Sequence, residues 1–305
     1  MTRICVTGEA LVDFVPDEHG TRRWTPGGSG LNTALALARL GIATHFVGSL
    51  AQDDNGQRLV RFMQDEGIDL SAASTSPKPC PHVLVSKDAD GTPHYKLHLA
   101  GSALEDAPTQ WTIPPSTQHF HATSFAATLG PSGEATLSAL HVLRGQMSTS
   151  FDPNIRAQVF PDRAAMLSLI SERIRHADIV KVSSEDLDVL APGILHDHVI
   201  AEWRALNVPL LIITRGAQGA VALFGSSQIQ IAAPKVPVCD SIGAGDTFMG
   251  AFLTAMSDDA GLKATPHFEP HLIARWLSFA NRAAALCCTR PGADPPTRQS
   301  IKAQT

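Results

Sequence analysis

Short apolar runs alternate with stretches of helical period along almost the whole chain. Ile4-Cys5-Val6 reads as a buried strand, and residues 33–40 (Thr-Ala-Leu-Ala-Leu-Ala-Arg-Leu) read as a helix that Gly41 ends. Residues 44–48 are strand-like, and 56–66 are helical with Gly67 just past the end. Strand patterns follow at 148–151, 179–182 and 210–214, and helical ones at 164–175, 199–206, 247–256 and 272–288. This alternation predicts an α/β fold whose mostly parallel sheet carries helices on both faces. Two segments break the rhythm. Residues 12–25 and 82–99 read as strands joined by turns. Asp90-Gly91, between Val83-Leu84-Val85 and Tyr95-Lys96-Leu97, is a hairpin signal. A small antiparallel flap on a single domain spanning 1–305 is expected, either as a lid or as a plain surface hairpin.

Composition narrows the partners. The chain has 305 residues, 44% hydrophobic and 17% charged, enough for a large core. A formal charge of −5 and the lack of any polybasic run argue against nucleic acid or anionic membranes as partners. Residues 271–288, the longest apolar stretch, contain Arg275 and Arg282 and cannot span a bilayer. The opening Met-Thr-Arg-Ile-Cys-Val lacks the layout of a secretion signal, and none of the five cysteines forms Cys-x-x-Cys. A cytoplasmic protein without a disulfide framework is therefore expected. His119-x-His121, His196-x-His198 and the pair His267 and His271 have no third metal ligand in a recognisable pattern.

Chemistry concentrates at Asp240-Ser241-Ile242-Gly243-Ala244-Gly245-Asp246-Thr247-Phe248. Two glycines two apart, followed by small and apolar residues, predict a tight loop opening a helix. The first N–H groups of a helix lack internal partners, so such a turn can hold an anion. Asp246 would repel a phosphate in its ground state. It either caps the helix or accepts a proton from an attacking hydroxyl. G-x-x-x-x-G-K-[ST] is absent, and Phe248 stands where G-x-G-x-x-G needs its third glycine.

Residues 240–252 closely resemble the C-terminal signature of the ribokinase-like (PfkB-type) carbohydrate kinases. Pro26-Gly27-Gly28-Ser29-Gly30-Leu31-Asn32-Thr33-Ala34 resembles their N-terminal signature. The resemblance implies a three-layer α/β/α fold with a mostly parallel central sheet and a small antiparallel β-lid. It also implies transfer of the ATP γ-phosphate to a sugar hydroxyl. On that resemblance Asp246 is the catalytic base, and Gly243, Ala244 and Gly245 form the anion hole. Asp13, Gly27, Gly28 and Asn32 would hold the sugar. Thr214, Gly216, Gly219 and Asn281 would line the nucleotide site, and Ser183 and Asp186 stand where relatives carry Asn-x-x-Glu for the Mg2+ network. Here Glu185 and Asp186 compete for the acidic role. Asp240, Ile242, Cys287, Arg290 and Gly292 match a K+ site built mainly from carbonyl oxygens, although Pro296 replaces a hydroxyl ligand of some relatives. Lids in the family often pair two chains into a homodimer.

The acceptor is the least determined part. Phe151-Asp152-Pro153-Asn154-Ile155-Arg156 and Gly8-Glu9-x-x-Val12-Asp13-Phe14 resemble the fructokinase-like branch. Arg156 could address a sugar oxygen, a carboxylate or a phosphate, so 2-keto-3-deoxygluconate kinase stays beside fructokinase. Ser29 stands where ribokinase usually has lysine. Phe14, Trp24 and Phe125 are the aromatic candidates for stacking on an acceptor's ring. A regulator that binds sugar or nucleotide without turnover is the reading from another class. The intact Asp246 and its glycine loop favour an enzyme.

Overall fold

The computed structural model describes residues 3–17, 21–87, 93–193 and 196–303. β1 (Arg3–Thr7) sends Ile4 and Val6 into one apolar core and Cys5 into another. β2 (Leu11–Pro16) and β3 (Arg22–Gly27) leave the main body as a hairpin, and α1 (Ser29–Arg39) returns to it. Next come β4 (Ala43–Val47), β5 (Ser49–Ala51), α2 (Asp54–Asp65), β6 (Ser74–Ser76), β7 (His82–Lys87) and β8 (Pro93–His98). From there strand and helix alternate: β9 (His119–Thr123), α3 (Gly130–Leu143), β10 (Ser148–Asp152), α4 (Arg163–Ile174), β11 (Ile179–Ser183). The chain continues through α5 (Ser184–Leu190), α6 (His196–Ala205), β12 (Leu210–Thr214), β13 (Ala220–Phe224) and β14 (Ser227–Ile231). It closes with α7 (Ala244–Asp258), α8 (Pro270–Cys287) and α9 (Arg298–Lys302).

The main sheet has eight strands in the order β4-β1-β9-β10-β11-β12-β13-β14. It is parallel from β4 to β12, and the last two strands turn back antiparallel. β12 is apolar on both faces, as a strand covered on two sides requires, whereas β9 and β10 are apolar mainly on one. Leu210 and Ile212 of β12 join Leu35 of α1, Phe252 of α7 and Trp276 of α8 in one core. Leu211 and Ile213 join Leu140 of α3, Ile170 of α4 and Trp203 of α6 in the other. The three-layer expectation holds. Phe252 meets Trp276 edge to face at 5.7 Å, and the indole N–H of Trp276 donates to Asp259 at 2.7 Å. His119 and His121 point out of this apolar pattern and bond the hydroxyls of Ser148 and Ser150 at 2.7–2.8 Å. Burial holds both imidazoles neutral, with His119 pushed down to about 3, so the pair forms a polar seam inside the fold.

The flap is a second sheet in the order β3-β2-β7-β8. Its two antiparallel hairpins meet through a parallel contact between β2 and β7. The Asp90-Gly91 turn lies outside the described residues. Phe14 and Trp24 face away from the cleft. Phe14 meets the His82 ring edge-on at 5.7 Å, and Arg58 lies 4.1 Å over Trp24. That corrects their candidacy for stacking on an acceptor; only Phe125 of the three lines the cleft. No helix among the described residues is long and apolar enough to cross a membrane.

Candidate active site

In open parallel sheets the strand C-termini point their loops at one edge, and ligands bind there. Here a cleft of about 1030 Å³ runs along that edge, from the flap to the end of α8. Leu11, Asp13, Val83, Tyr95, Leu97, Phe125 and Arg156 line the flap end. Thr214, Gly216, Gly219, Val236, Asn281 and Ala284 line the other. The 243–246 loop lies between them.

Gly243 adopts φ 74° as the cap residue of α7, a left-handed conformation that glycine takes without penalty. The helix therefore opens at Ala244, earlier than the apolar period at 247 suggests, and Asp246 falls in its first turn. Asp246 is 5% exposed. Its Oδ1 accepts the Ser29 hydroxyl at 2.6 Å, and its Oδ2 accepts the Asn32 amide at 2.9 Å. The Asn154 amide reaches Oδ1 at 3.4 Å. Ser29 and Asn32 belong to the first turn of α1, whose leading N–H groups are capped from β1's side. Glu9 Oε1 accepts Ser29 N–H at 2.9 Å, and the Glu9 carbonyl accepts Leu31 N–H at 3.2 Å.

Backbone strain collects at the flap end. Asn154 has φ 35°, which Asn tolerates better than most residues, and this conformation aims its amide at Asp246. Ser124 has φ 68° and ψ −168°, a region suited to glycine, at the point where the chain turns Phe125 into the cleft. Burial pushes the Asp13 carboxyl up to about 6, with Arg156 pulling it down. Burial likewise raises Glu9, against bonds from Ser29 and Ser124.

Ser183 and Asp186 line the cleft, and Asp186 also holds the local backbone. Its Oδ1 accepts Ile155 N–H at 2.7 Å, and its Oδ2 accepts both the backbone N–H and the hydroxyl of Ser183. Glu185 is exposed at the cleft. The Asn281 amide donates to the Ile231 carbonyl at 2.9 Å, so it clips the loop after β14 to α8 while lining the cleft. Gly27 stands behind Asp13, into which a side chain on it would run. Asp240, Cys287, Arg290 and Gly292 lie outside the cleft lining, and Ile242 lies within it. Asp240 accepts N–H from Ile242 at 3.0 Å and Gly292 at 2.9 Å, which ties the two loops together. Arg290 pairs with Asp294 at 3.0 Å.

Three participants went unassigned in the sequence: Ser29, Asn154 and Lys181. Ser29 and Asn154 lie inside segments already singled out, and only the fold shows that both turn toward Asp246. Lys181 opens the segment that carries Ser183 and Asp186, but only the fold brings it against Gly245.

The sequence matches the pfkB family of carbohydrate kinases over residues 1–299. A fructokinase of Rhizobium leguminosarum bv. trifolii is 32% identical over 304 residues, covering 97% of this chain and 88% of its own. An aminoimidazole riboside kinase of Salmonella typhimurium is 30% identical over 297 residues, covering 96% and 91%. Among solved structures, a double mutant of Vibrio cholerae O395 fructokinase with fructose, ADP and potassium ion superposes with a TM-score of 0.85. It is 26% identical and covers 99% of this chain and 98% of its own. The chain belongs to the pfkB family of carbohydrate kinases. It is an ATP-dependent phosphotransferase that acts on an alcohol.

Proposed function

We propose that the chain is a fructokinase, with Asp246 as general base and the Gly243-Ala244-Gly245 loop as anion hole. The carrying observation is the Asp246 carboxylate, held by Ser29 and Asn32 beside the leading N–H groups of α7. Phosphoryl transfer asks mainly for positioning and electrostatic stabilisation, and this arrangement supplies both. Asp13 and Asn32 take sugar hydroxyls, and Gly28 lets the sugar lie on bare backbone. Arg156 borders the same end of the cleft. Two carboxyls there, Asp13 and Glu9, against the single guanidinium of Arg156 favour a neutral sugar over an acid such as 2-keto-3-deoxygluconate.

Thr214, Gly216 and Gly219 receive the nucleotide, and Asn281 shapes the pocket wall beside its base. Mg2+ takes few protein ligands and keeps several waters, so one exposed carboxylate at the cleft suits it. Glu185 fits that description better than Asp186, whose oxygens are both engaged. Held there, Mg2+ would supply positive charge against the charge that develops on the transferring phosphoryl group. The carbonyls beside Asp240, Ile242, Cys287, Arg290 and Gly292 are hard oxygen donors of the kind K+ takes. The Asp240 bridge from Ile242 to Gly292 brings their loops together. Both outer flap strands, β3 and β8, offer unpaired edges among the described residues, which suits a homodimer formed through the lid. Use of ATP suits a cytoplasmic location.

The second reading is a riboside acceptor. Leu11, Val83, Leu97 and Phe125 give the acceptor end an apolar wall that could pack against a heterocycle. ADP formation with Mg-ATP across fructose, aminoimidazole riboside, ribose and 2-keto-3-deoxygluconate separates the readings. Fructose is expected to give the highest kcat/KM, and a higher value for another acceptor would reassign the substrate. Asp246→Asn is expected to lower kcat by about 10²–10⁴ while ATP still binds. Equal turnover would remove Asp246 from its role.

A further inference from the structure

Lys181 is a buried cation that the roles assigned so far leave unexplained. It is the third residue of β11, between Val180 and Val182, and only 3% of it is exposed. An ammonium taken out of water is costly unless it is paired and serves some end. Its pair is Asp152 Oδ2 at 2.8 Å, and Asp152 is 1% exposed. The other oxygen of that carboxylate accepts Asn154 N–H at 3.1 Å, so the counter-ion is itself fixed. An ammonium has three N–H groups, and Asp152 is its one hydrogen-bond acceptor among the described residues.

Its position is the more telling fact. A Cβ built on Gly245 would stand 2.9 Å from Nζ, so the ammonium lies against the first turn of α7 and lines the cleft. A helix N-terminus already carries partial positive charge and disfavours a cation. Two positive features brought to one spot on the cleft wall suit an anion arriving from the cleft. Burial works to discharge Lys181, and the carboxylates of Asp152, Asp186 and Asp246 outweigh it, so the charge is retained.

We propose that Lys181 is a catalytic residue whose ammonium contacts the transferring phosphoryl group beside the 243–245 loop. The proposal rests on the kinase reading and deepens it. In the step the acceptor oxygen bonds to the γ-phosphorus and gives its proton to Asp246. The bond from that phosphorus to the β–γ bridging oxygen breaks, and its electron pair leaves on ADP. Lys181 neither gives nor takes a proton; it holds a fixed charge against an oxygen of the moving group. Asp152 is its positioning partner.

The test compares wild type, Asp246→Asn and the double variant Lys181→Met with Asp152→Asn, which removes the ammonium together with its counter-charge. The readouts are kcat with Mg-ATP and fructose, affinity for ADP, and affinity for ADP with aluminium fluoride, a planar mimic of the moving phosphoryl. We expect ADP affinity to stay within about twofold, while kcat and aluminium fluoride affinity both fall by about 10²–10³. Values of both within about threefold of wild type would overturn the proposal and leave the pair a structural one. Should the double variant lose its cooperative melt, Lys181→Gln, which keeps an N–H for Asp152, carries the same expectation and the same overturning result. Wild type that is inactive with fructose would fail the acceptor reading alone, because the aluminium fluoride arm still reports on Lys181. Undiminished kcat in Asp246→Asn would fail the base.

Discussion

At the scale of single residues, burial and a neighbouring charge oppose each other at Asp13. Burial raises its carboxyl to about 6, and Arg156 restrains the rise. A protonated Asp13 loses its stronger acceptor character toward sugar hydroxyls. Acceptor kcat/KM is therefore expected to fall as pH drops through about 6, tenfold per unit once well below it. Arg156→Ala removes the restraint, so the acid limb should move to higher pH as acceptor use weakens. A limb that stays in place would separate Arg156 from Asp13. For stability the sign is opposite. Asp13 binds its proton more tightly when folded, so its contribution is complete below 3.8 and fades as pH rises through about 6. Residues of this kind differ in how far the sequence announces them. Asp246 and Gly243 are legible because a left-handed cap and a first-turn acid need those residue types in that order. Lys181 is silent, because its meaning comes from Gly245, 64 positions later in the chain and adjacent only once β11 meets α7.

Among the elements, helix starts are where the sequence and the fold diverge most. α1 begins at Ser29 and α7 at Ala244, both ahead of their apolar periods. In α1 the cap comes from Glu9 on a different segment, which no local pattern records. The flap's composition is equally legible as hairpins, whereas the parallel contact of β2 with β7 joins segments separated by α1 and α2. A buried arginine shows how elements are locked together on the far face. Arg173 of α4 donates to the carbonyls of Ala127, Gly133 and Leu169, and so fastens the start of α3 to α4. Arg173→Met keeps the stem and removes its bonds to the Ala127 and Gly133 carbonyls. It is expected to lower unfolding free energy by about 3 kcal/mol in a urea titration. A loss below about 0.5 kcal/mol, the level of an ordinary surface change, would show that the lock is unimportant.

Across the whole molecule, the layered fold was readable because both faces of the sheet demand apolar strands and the helices announce their ends with glycine. The cleft was readable only through its two loops, since its walls are drawn from the flap, several strand ends, the starts of α1 and α7, and α8. Tyr95, the chain's one tyrosine, lies on β8 at the acceptor end and is 53% exposed. Bound fructose should slow nitration of Tyr95 by tetranitromethane several-fold, read by mass spectrometry. An unchanged rate would place the acceptor away from the flap. The Ser29 hydroxyl and Asp246 Oδ1 are bonded across 217 residues of sequence. Arg39 adds another long closure, gripping Glu66 as well as Asp294 and the Pro295 carbonyl near the end of the chain. Contacts so distant along the chain form late, after the local helices. During refolding the helical signal should therefore return before turnover does. On the ribosome the first helix must wait for α7 to emerge before the carboxylate it cradles exists.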